Sequence, residues 1–238
     1  MKWAGYRLLQ WGCPLFVALA CAHAQTPPET KTDLDQRSVL LEWSAREKTP
    51  AAPTGAVTEA EALTPEQQEL EARVDEGLAT LGRGLTEEAL VIFQQVLRSD
   101  PKNKRARFGV GTGYIQQNKY QEAIAVLEPM TEEFPDDFLV KNNVAWLYAT
   151  ARDPTVRNGE KAIRYAQEAL LISPNSYQVW NTLSESYYIT GEYEKAQRAA
   201  EEALRLATQV NAPLSSIADY RRQAEKSARA AKAMSLLD

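Results

Sequence analysis

The sequence predicts an all-α protein built from repeated helix pairs. After residue 64 no segment alternates apolar and polar side chains as a strand does, and helical periodicity runs through the same region. One short pattern also returns there: an Ala, an apolar residue four positions later and, in the first three of its four units, a Pro twelve positions after the Ala; the fourth unit has Thr208 at that position. Its Ala positions are separated by 34, 39 and 34 residues, and they are Ala89, Ala123, Ala162 and Ala196. This period indicates stacked helix-turn-helix units.

The first 24 residues have the composition of a secretory leader. Lys2 and Arg7 supply positive charge, residues 11–22 are almost wholly apolar, and Ala22 and Ala24 flank His23. This order is typical of a cleaved signal peptide, and the apolar run is too short to span a bilayer. We expect export to the periplasm or the extracellular space, with cleavage after Ala24. No later segment is apolar enough for a transmembrane helix.

A second processing site overlaps the first. Residues 17–21 resemble a bacterial lipobox, in which Cys21 is lipidated and becomes the new N-terminus, although Ala18 stands where Leu is usual. The sequence leaves both possibilities open. The alternative to a freely exported chain is a lipoprotein that is anchored to a membrane through Cys21.

Composition excludes several classes of chemistry. Both cysteines, Cys13 and Cys21, and the single histidine, His23, lie within the first 24 residues. A chain cleaved after Ala24 therefore has no thiol nucleophile, no imidazole base and no His or Cys metal site. The net charge is −5, with Lys and Arg scattered among Glu, so no basic stripe is available to phosphates. We expect no enzymatic activity, no cofactor and no nucleic-acid partner.

Residues 25–63 are rich in Thr, Pro, Ala and Glu, a composition that predicts a flexible linker. Within them, residues 39–43 form the short apolar patch Val-Leu-Leu-Glu-Trp. This patch is either a docking motif or a stretch that packs transiently on the repeats.

The helical domain is expected to span residues 64–235. Thr64 can cap a helix, Pro65 suits the first helical position, and Gln67 stands at the spacing of a capping box. At the other end, residues 214–235 show helical periodicity with many Arg, Lys and Gln residues, which predicts a cap helix for the stack.

The repeat pattern resembles that of bacterial exported tetratricopeptide repeat (TPR) proteins. The small residues of the first helices are Gly77, Gly111, Ala145 and Ser184, and the aromatic residues three positions later are Tyr114, Tyr148 and Tyr187, with Thr80 in the first unit. The resemblance implies a TPR solenoid with four repeats at 70–103, 104–137, 138–176 and 177–210. The third repeat carries an extended turn at 151–159, which is either a contact loop or a tolerated insertion.

In TPR proteins the first helix of each repeat lines a concave groove. Carried over by position, the resemblance places Val74 and Leu78 of the first repeat in the groove. In the other repeats it implies a nearly uncharged set of partner-binding residues: Arg105, Phe108, Thr112, Asn142, Asn143, Trp146, Gln178, Asn181, Glu185 and Tyr188. Amides can both donate to and accept from a peptide backbone, and aromatic rings offer apolar contact. The alternative is that Phe108 and Trp146 pack between helices and the Asn side chains face water.

The sequence therefore predicts a non-enzymatic scaffold or adaptor that binds a protein or peptide through its concave groove, for example in an envelope assembly or secretion complex. The alternative is a structural subunit of an envelope complex that uses its edges or convex face and binds no peptide.

Overall fold

A computed structural model describes residues 64–236 of the chain. Over this range the protein is all-α and contains no strand, which confirms the predicted fold class. Its helices are α1 (Pro65–Gly82), α2 (Thr86–Ser99), α3 (Lys104–Gln116), α4 (Tyr120–Glu133), α5 (Phe138–Thr150), α6 (Gly159–Ile172), α7 (Tyr177–Ile189), α8 (Tyr193–Gln209) and α9 (Leu214–Met234). The expected leader at 1–24, Cys21, the expected linker at 25–63 and the patch at 39–43 lie outside the described residues.

The first helix begins with the capping box that the sequence predicts. The Gln67 backbone N–H donates to the Thr64 hydroxyl at 3.2 Å, and the Thr64 N–H donates to the Gln67 side-chain oxygen at 2.9 Å. Pro65 occupies the first turn. These contacts satisfy backbone donors that would otherwise have no partner at the helix end. As a result α1 begins before residue 70, where the TPR pattern places the start of the first repeat.

Side-chain caps also start later helices, and left-handed residues make the turns between them. Asn103, Asp137, Asn158 and Ser176 accept from backbone N–H groups at the starts of α3, α5, α6 and α7. Positive φ angles occur in the turns after α1, α3, α7 and α8, at Gly84, Asn118, Gly191 and Asn211. Gly and Asn are the residues that adopt this conformation at least cost.

The helices form a stack in which neighbours along the chain pack together. In addition, α1 packs beside α3, and α5 beside α7, so the first helices of successive repeats form one layer. The four Ala residues of the repeat pattern are fully buried in this packing. The spans 104–137, 138–176 and 177–210 each contain one helix pair.

A buried aromatic ring joins the first two repeats. Phe93 of α2 is 0 % exposed and lies between two glycines. A Cβ atom placed on Gly77 of α1 would lie 2.6 Å from the ring, and one placed on Gly109 of α3 would lie 2.3 Å from it. The two glycines therefore make the space that the ring occupies.

The extended turn of the third repeat is anchored to the stack at its ends. Ala151 and Val156 are buried, and the Asn158 backbone N–H donates to the Tyr148 carbonyl at 3.0 Å. Asp153 between them accepts from the backbone and hydroxyl of Thr155.

Helix α9 closes the end of the stack by packing on α8. Its Tyr220 is buried against Ala203 and Ala207, and its ring lies 5.7 Å from that of Tyr177. Much of its buried face is nevertheless polar, including Asp219 and Gln223. Across residues 64–236 no helix combines the length and apolar character needed to cross a membrane.

Candidate functional site

The partner-binding residues proposed from the sequence lie on α3, α5 and α7, the first helices of the second, third and fourth repeats. Nine of the ten are buried, and Tyr188 is half-buried. The structure therefore places them on one helical layer, with far less exposed surface than an open groove would give. We call this set the groove residues.

Arg105 is held by two carboxylates of the preceding repeat. Its guanidinium donates to Glu71 at 2.6 Å and to Asp75 at 2.7 Å, and both carboxylates belong to α1. Burial lowers the pKa of Arg105, but the hydrogen bonds to Asp75 and Glu71 outweigh it and raise the pKa overall. The groove is thus more charged than the nearly uncharged surface expected from the sequence. The acids stand four residues apart on one face of α1, but this spacing alone does not indicate that they meet Arg105.

Thr112 and Asn143 bond to each other across the layer. The Asn143 amide donates to the Thr112 hydroxyl at 3.1 Å, and that hydroxyl donates to the Phe108 carbonyl at 2.9 Å. All three side chains are buried. This chain of hydrogen bonds ties α3 to α5, so Asn143 has a clear packing role.

Asn142 and Trp146 present polar atoms that have no partner within residues 64–236. The side-chain oxygen of Asn142 and the indole N–H of Trp146 are both buried without a hydrogen bond. They stand one helical turn apart on α5, so they lie on the same face. Leaving a buried polar group unpaired costs about 1–3 kcal/mol, so such a pair requires an explanation. One acceptor and one donor are what a peptide unit would satisfy.

The fourth repeat and α9 complete the same layer. Lys226 of α9 donates to Glu185 at 3.3 Å, and its ammonium lies 3.7 Å from the centre of the Tyr188 ring. Gln178 and Asn181 of α7 are buried, and Ser176 donates to the Gln178 side-chain oxygen at 3.1 Å. The sequence predicted α9 only as a cap helix for the stack, so Lys226 was not among the predicted groove residues. A signal was available in the sequence, since Lys226 lies on the helix that follows the last repeat.

A second polar cluster lies outside this set, at the junction of the second and third repeats. Lys161 of α6 donates to Glu128 of α4 at 2.9 Å and to the Tyr148 hydroxyl at 3.0 Å. Tyr165 stacks on Tyr148 with 6.3 Å between ring centres and donates to Glu128 at 3.2 Å. We call these four residues the 2/3 junction cluster.

Opposite charges shift the pKa values in this cluster. Burial raises the pKa of Glu128, but hydrogen bonds from Lys161 and Tyr148 outweigh it and lower the pKa below its ordinary value. Hydrogen bonds to Tyr148 and Glu128 raise the pKa of Lys161. Burial raises the pKa of Tyr148. Glu128, Lys161 and Tyr148 are therefore held in their usual charge states at neutral pH, which suits an interhelical tie. Within residues 64–236 no group of three or more His, Cys, Asp or Glu side chains could hold a metal ion.

The architecture defines a class: stacked helix pairs, joined by tight turns and packed through a recurring Ala, make a helical-repeat solenoid. Models of the tetratricopeptide repeat match residues 80–147 and 177–209. The chain is a tetratricopeptide repeat protein.

Solved structures share this fold. TTC0263, a thermophilic TPR protein of Thermus thermophilus, is 17 % identical, with 69 % of this chain and 98 % of that chain covered at a TM-score of 0.52. The 41-end form of MamA from Desulfovibrio magneticus is 20 % identical, with 74 % and 97 % covered at a TM-score of 0.50.

One curated relative, Superkiller protein 3 of Schizosaccharomyces pombe, is 26 % identical over 130 residues. The match covers 52 % of this chain and 9 % of that protein. The chain therefore spans less than a tenth of this relative. The match to this relative, together with the repeats themselves, supports a role as a protein-interaction scaffold.

Proposed function

We propose that this scaffold holds an extended polypeptide segment against the groove residues, without catalysing a reaction. TPR folds are typically non-enzymatic and bind proteins. The observation that carries the proposal is the unpaired acceptor of Asn142 and the unpaired donor of Trp146, one turn apart on α5. A peptide backbone that donates to the first and accepts from the second would satisfy both. Because both atoms are buried, a ligand reaches them only when neighbouring side chains move aside.

Two substitutions test this proposal. Asn142→Leu removes the acceptor and keeps a side chain of similar size, so we expect the free energy of unfolding to stay the same or rise. Trp146→Phe removes the N–H but also leaves a small cavity at a buried position, so we expect the free energy of unfolding to fall. We expect the affinity for the native partner to fall about tenfold, the loss of roughly one hydrogen bond. The partner is first recovered with the wild-type chain and purified, and binding is then measured by calorimetry.

Asn143→Ala provides the matched control. Asn143 is bonded to Thr112, so its loss should lower the free energy of unfolding and leave the unpaired atoms untouched. If Asn142→Leu instead destabilises the chain and both variants leave partner affinity unchanged, these residues serve packing alone. The groove proposal would then be wrong.

We also propose that the chain is exported, which the composition of residues 1–24 supports. The setting we favour is an envelope assembly or secretion complex. Intact mass of the protein from its native cells distinguishes the two processing routes, because an N-terminus at Gln25 and a lipid on Cys21 give different masses. A mass that retains residues 1–24 would contradict both.

The alternative function is that of a structural subunit that uses its convex face. One observation supports this alternative: an open cleft lies on the side of the stack that is formed by the second helices of the last two repeats.

A further inference from the structure

An open cleft separates the second helices of the third and fourth repeats. Helices α6 and α8 both pack on α7, and the cleft between them has α7 as its floor. The volume of this open cleft is about 830 Å³. We call it the 3/4 cleft and define it by Leu170 and Leu171 of α6, Trp180 and Tyr187 of α7, and Arg198 and Ala199 of α8.

The floor and one wall of the 3/4 cleft are apolar and held in place. The Trp180 indole N–H donates to the Pro174 carbonyl at 2.8 Å, which fixes the ring. Gln167 donates to the Tyr187 hydroxyl at 3.1 Å. Leu171 is 85 % exposed, an unusual state for a large apolar side chain beside other apolar groups.

The opposite wall carries positive charge. Arg198 is exposed and forms no ion pair or hydrogen bond within residues 64–236. Lys195 lies 5.4 Å from the centre of the Tyr187 ring and pairs with Glu192 at the edge of the cleft. Glu202, the acid that lines the cleft, is already bound to Arg205 at 2.6 Å. Arg198 is therefore a cation beside an apolar surface with no carboxylate of its own in the described part of the chain.

The repeat provides an internal comparison, because the same positions exist one junction earlier. The 2/3 junction cluster places Tyr165 where the 3/4 cleft has Ala199, and Glu128 where it has Gln167. Tyr165 is 6 % exposed and fills the junction, while Glu128 pairs with Lys161, the equivalent of Lys195. The wall residue Glu132 of α4 is replaced by the exposed Leu171.

The 3/4 cleft thus lacks the two groups that close the 2/3 junction: an aromatic ring and a carboxylate. The loss of a ring leaves volume over an apolar floor. Because Glu202 is already bound to Arg205, Arg198 is left to meet a carboxylate from outside. Burial of a ring against Trp180 and Tyr187 supplies hydrophobic stabilisation, and a charge-assisted contact with Arg198 supplies orientation.

We propose that the 3/4 cleft is a docking site for a partner polypeptide that presents an aromatic side chain beside a carboxylate. The partner's ring takes the volume that Tyr165 fills at the earlier junction, and its carboxylate pairs with Arg198. This site is separate from the groove residues, and it does not depend on the proposed function.

The test uses the full chain and a short capped peptide that carries one Glu and one Trp on the same helical face. Two matched peptides replace Glu by Gln or Trp by Ala. Fluorescence anisotropy measures their affinities. We expect the parent peptide to bind, and each matched peptide to bind about tenfold more weakly.

Variants of the protein locate the binding. Ala199→Tyr supplies the ring found at the earlier junction and should abolish peptide binding. Because Ala199 is buried, this variant could fail to fold, so Leu171→Glu at an exposed site is the second variant. It restores the acid of Glu132 and should weaken binding at least about tenfold without changing the thermal midpoint. Asn142→Leu is the control and should leave binding of this peptide unchanged.

Several results would overturn the proposal. Equal affinities for the parent and matched peptides would show that the protein does not recognise the ring and the carboxylate. Loss of binding in Asn142→Leu, with no effect of Leu171→Glu, would place the peptide on the groove residues instead. Binding that emerges only after Trp43→Ala would identify the chain's own segment as the occupant. Conversion of a dimer to a monomer by Leu171→Glu would identify a second copy as the occupant.

Discussion

Replacing Gly109 by Ala should destabilise the solenoid, although Ala is the better helix former. A Cβ at this position would lie 2.3, 2.5 and 2.7 Å from three ring atoms of Phe93, well inside ordinary van der Waals contact. Phe93 is fully buried, so the ring has no free space into which it can move. Overpacking of this kind costs up to about 3 kcal/mol, whereas the gain in helix propensity is about 1 kcal/mol. We therefore expect a net loss of about 2 kcal/mol, by the difference of these two values.

Urea unfolding followed by circular dichroism measures this loss, and a double-mutant cycle identifies its cause. In a Phe93→Leu background the ring is gone, so Gly109→Ala should become neutral or stabilising, with a coupling energy of about 3 kcal/mol. Gly82→Ala is the matched control. A Cβ there meets nothing within 4 Å, so this change should stabilise the chain, by at most about 1 kcal/mol. Stabilisation by Gly109→Ala in the wild-type background would refute the reasoning.

Two further substitutions test local contacts. Thr64→Ala removes the capping box of α1, and it should lower the free energy of unfolding by about 1 kcal/mol in urea titrations; no change would mean that the cap is not formed. Glu128→Gln tests the 2/3 junction cluster through pH. The pKa of Glu128 is lowered in the folded chain, so its stabilising effect is present above the ordinary Glu pKa of about 4.3 and is lost as pH falls through the folded value. Between about pH 5 and pH 3 the wild type should therefore lose more stability than Glu128→Gln, and parallel losses would contradict this.

The fold could be predicted because its determinants are local and repeated. The Ala that recurs in each unit is fully buried in all four repeats, and the Thr64 capping box forms as its spacing indicates. Such features depend on residues a few positions apart, so periodicity in the sequence exposes them. A repeat array has few contacts between units that are distant in sequence, since each unit contacts only its neighbours.

The surroundings of the candidate site could be predicted only in part. Position within the repeat placed all ten groove residues on first helices, Asn142 and Trp146 among them. It gave no account of their burial, or of the carboxylates that hold Arg105, because the pairing of Glu71 and Asp75 with Arg105 spans two repeats. Side-chain contacts at such distances follow from three-dimensional packing, which a family pattern does not contain.

The 3/4 cleft is a second feature that the sequence pattern alone does not reveal. Ala199 matches the small residues that repeats tolerate, so the sequence pattern alone gives it no significance. Its meaning appears only when Tyr165 is seen to fill the equivalent space one repeat earlier. Comparison between junctions of one molecule thus supplies information that comparison of sequence positions does not.

Site-specific photo-cross-linking tests the central claim, a partner held on the first-helix layer, most directly. A photoreactive residue is placed at Tyr188, the half-buried member of the groove residues, and at Val91, which is 53 % exposed on the second helix α2. After irradiation with the purified partner, we expect a cross-link from position 188 that is lost in Trp146→Phe, and none from position 91. Cross-links from position 91 alone, or equal cross-links from both positions, would contradict the claim.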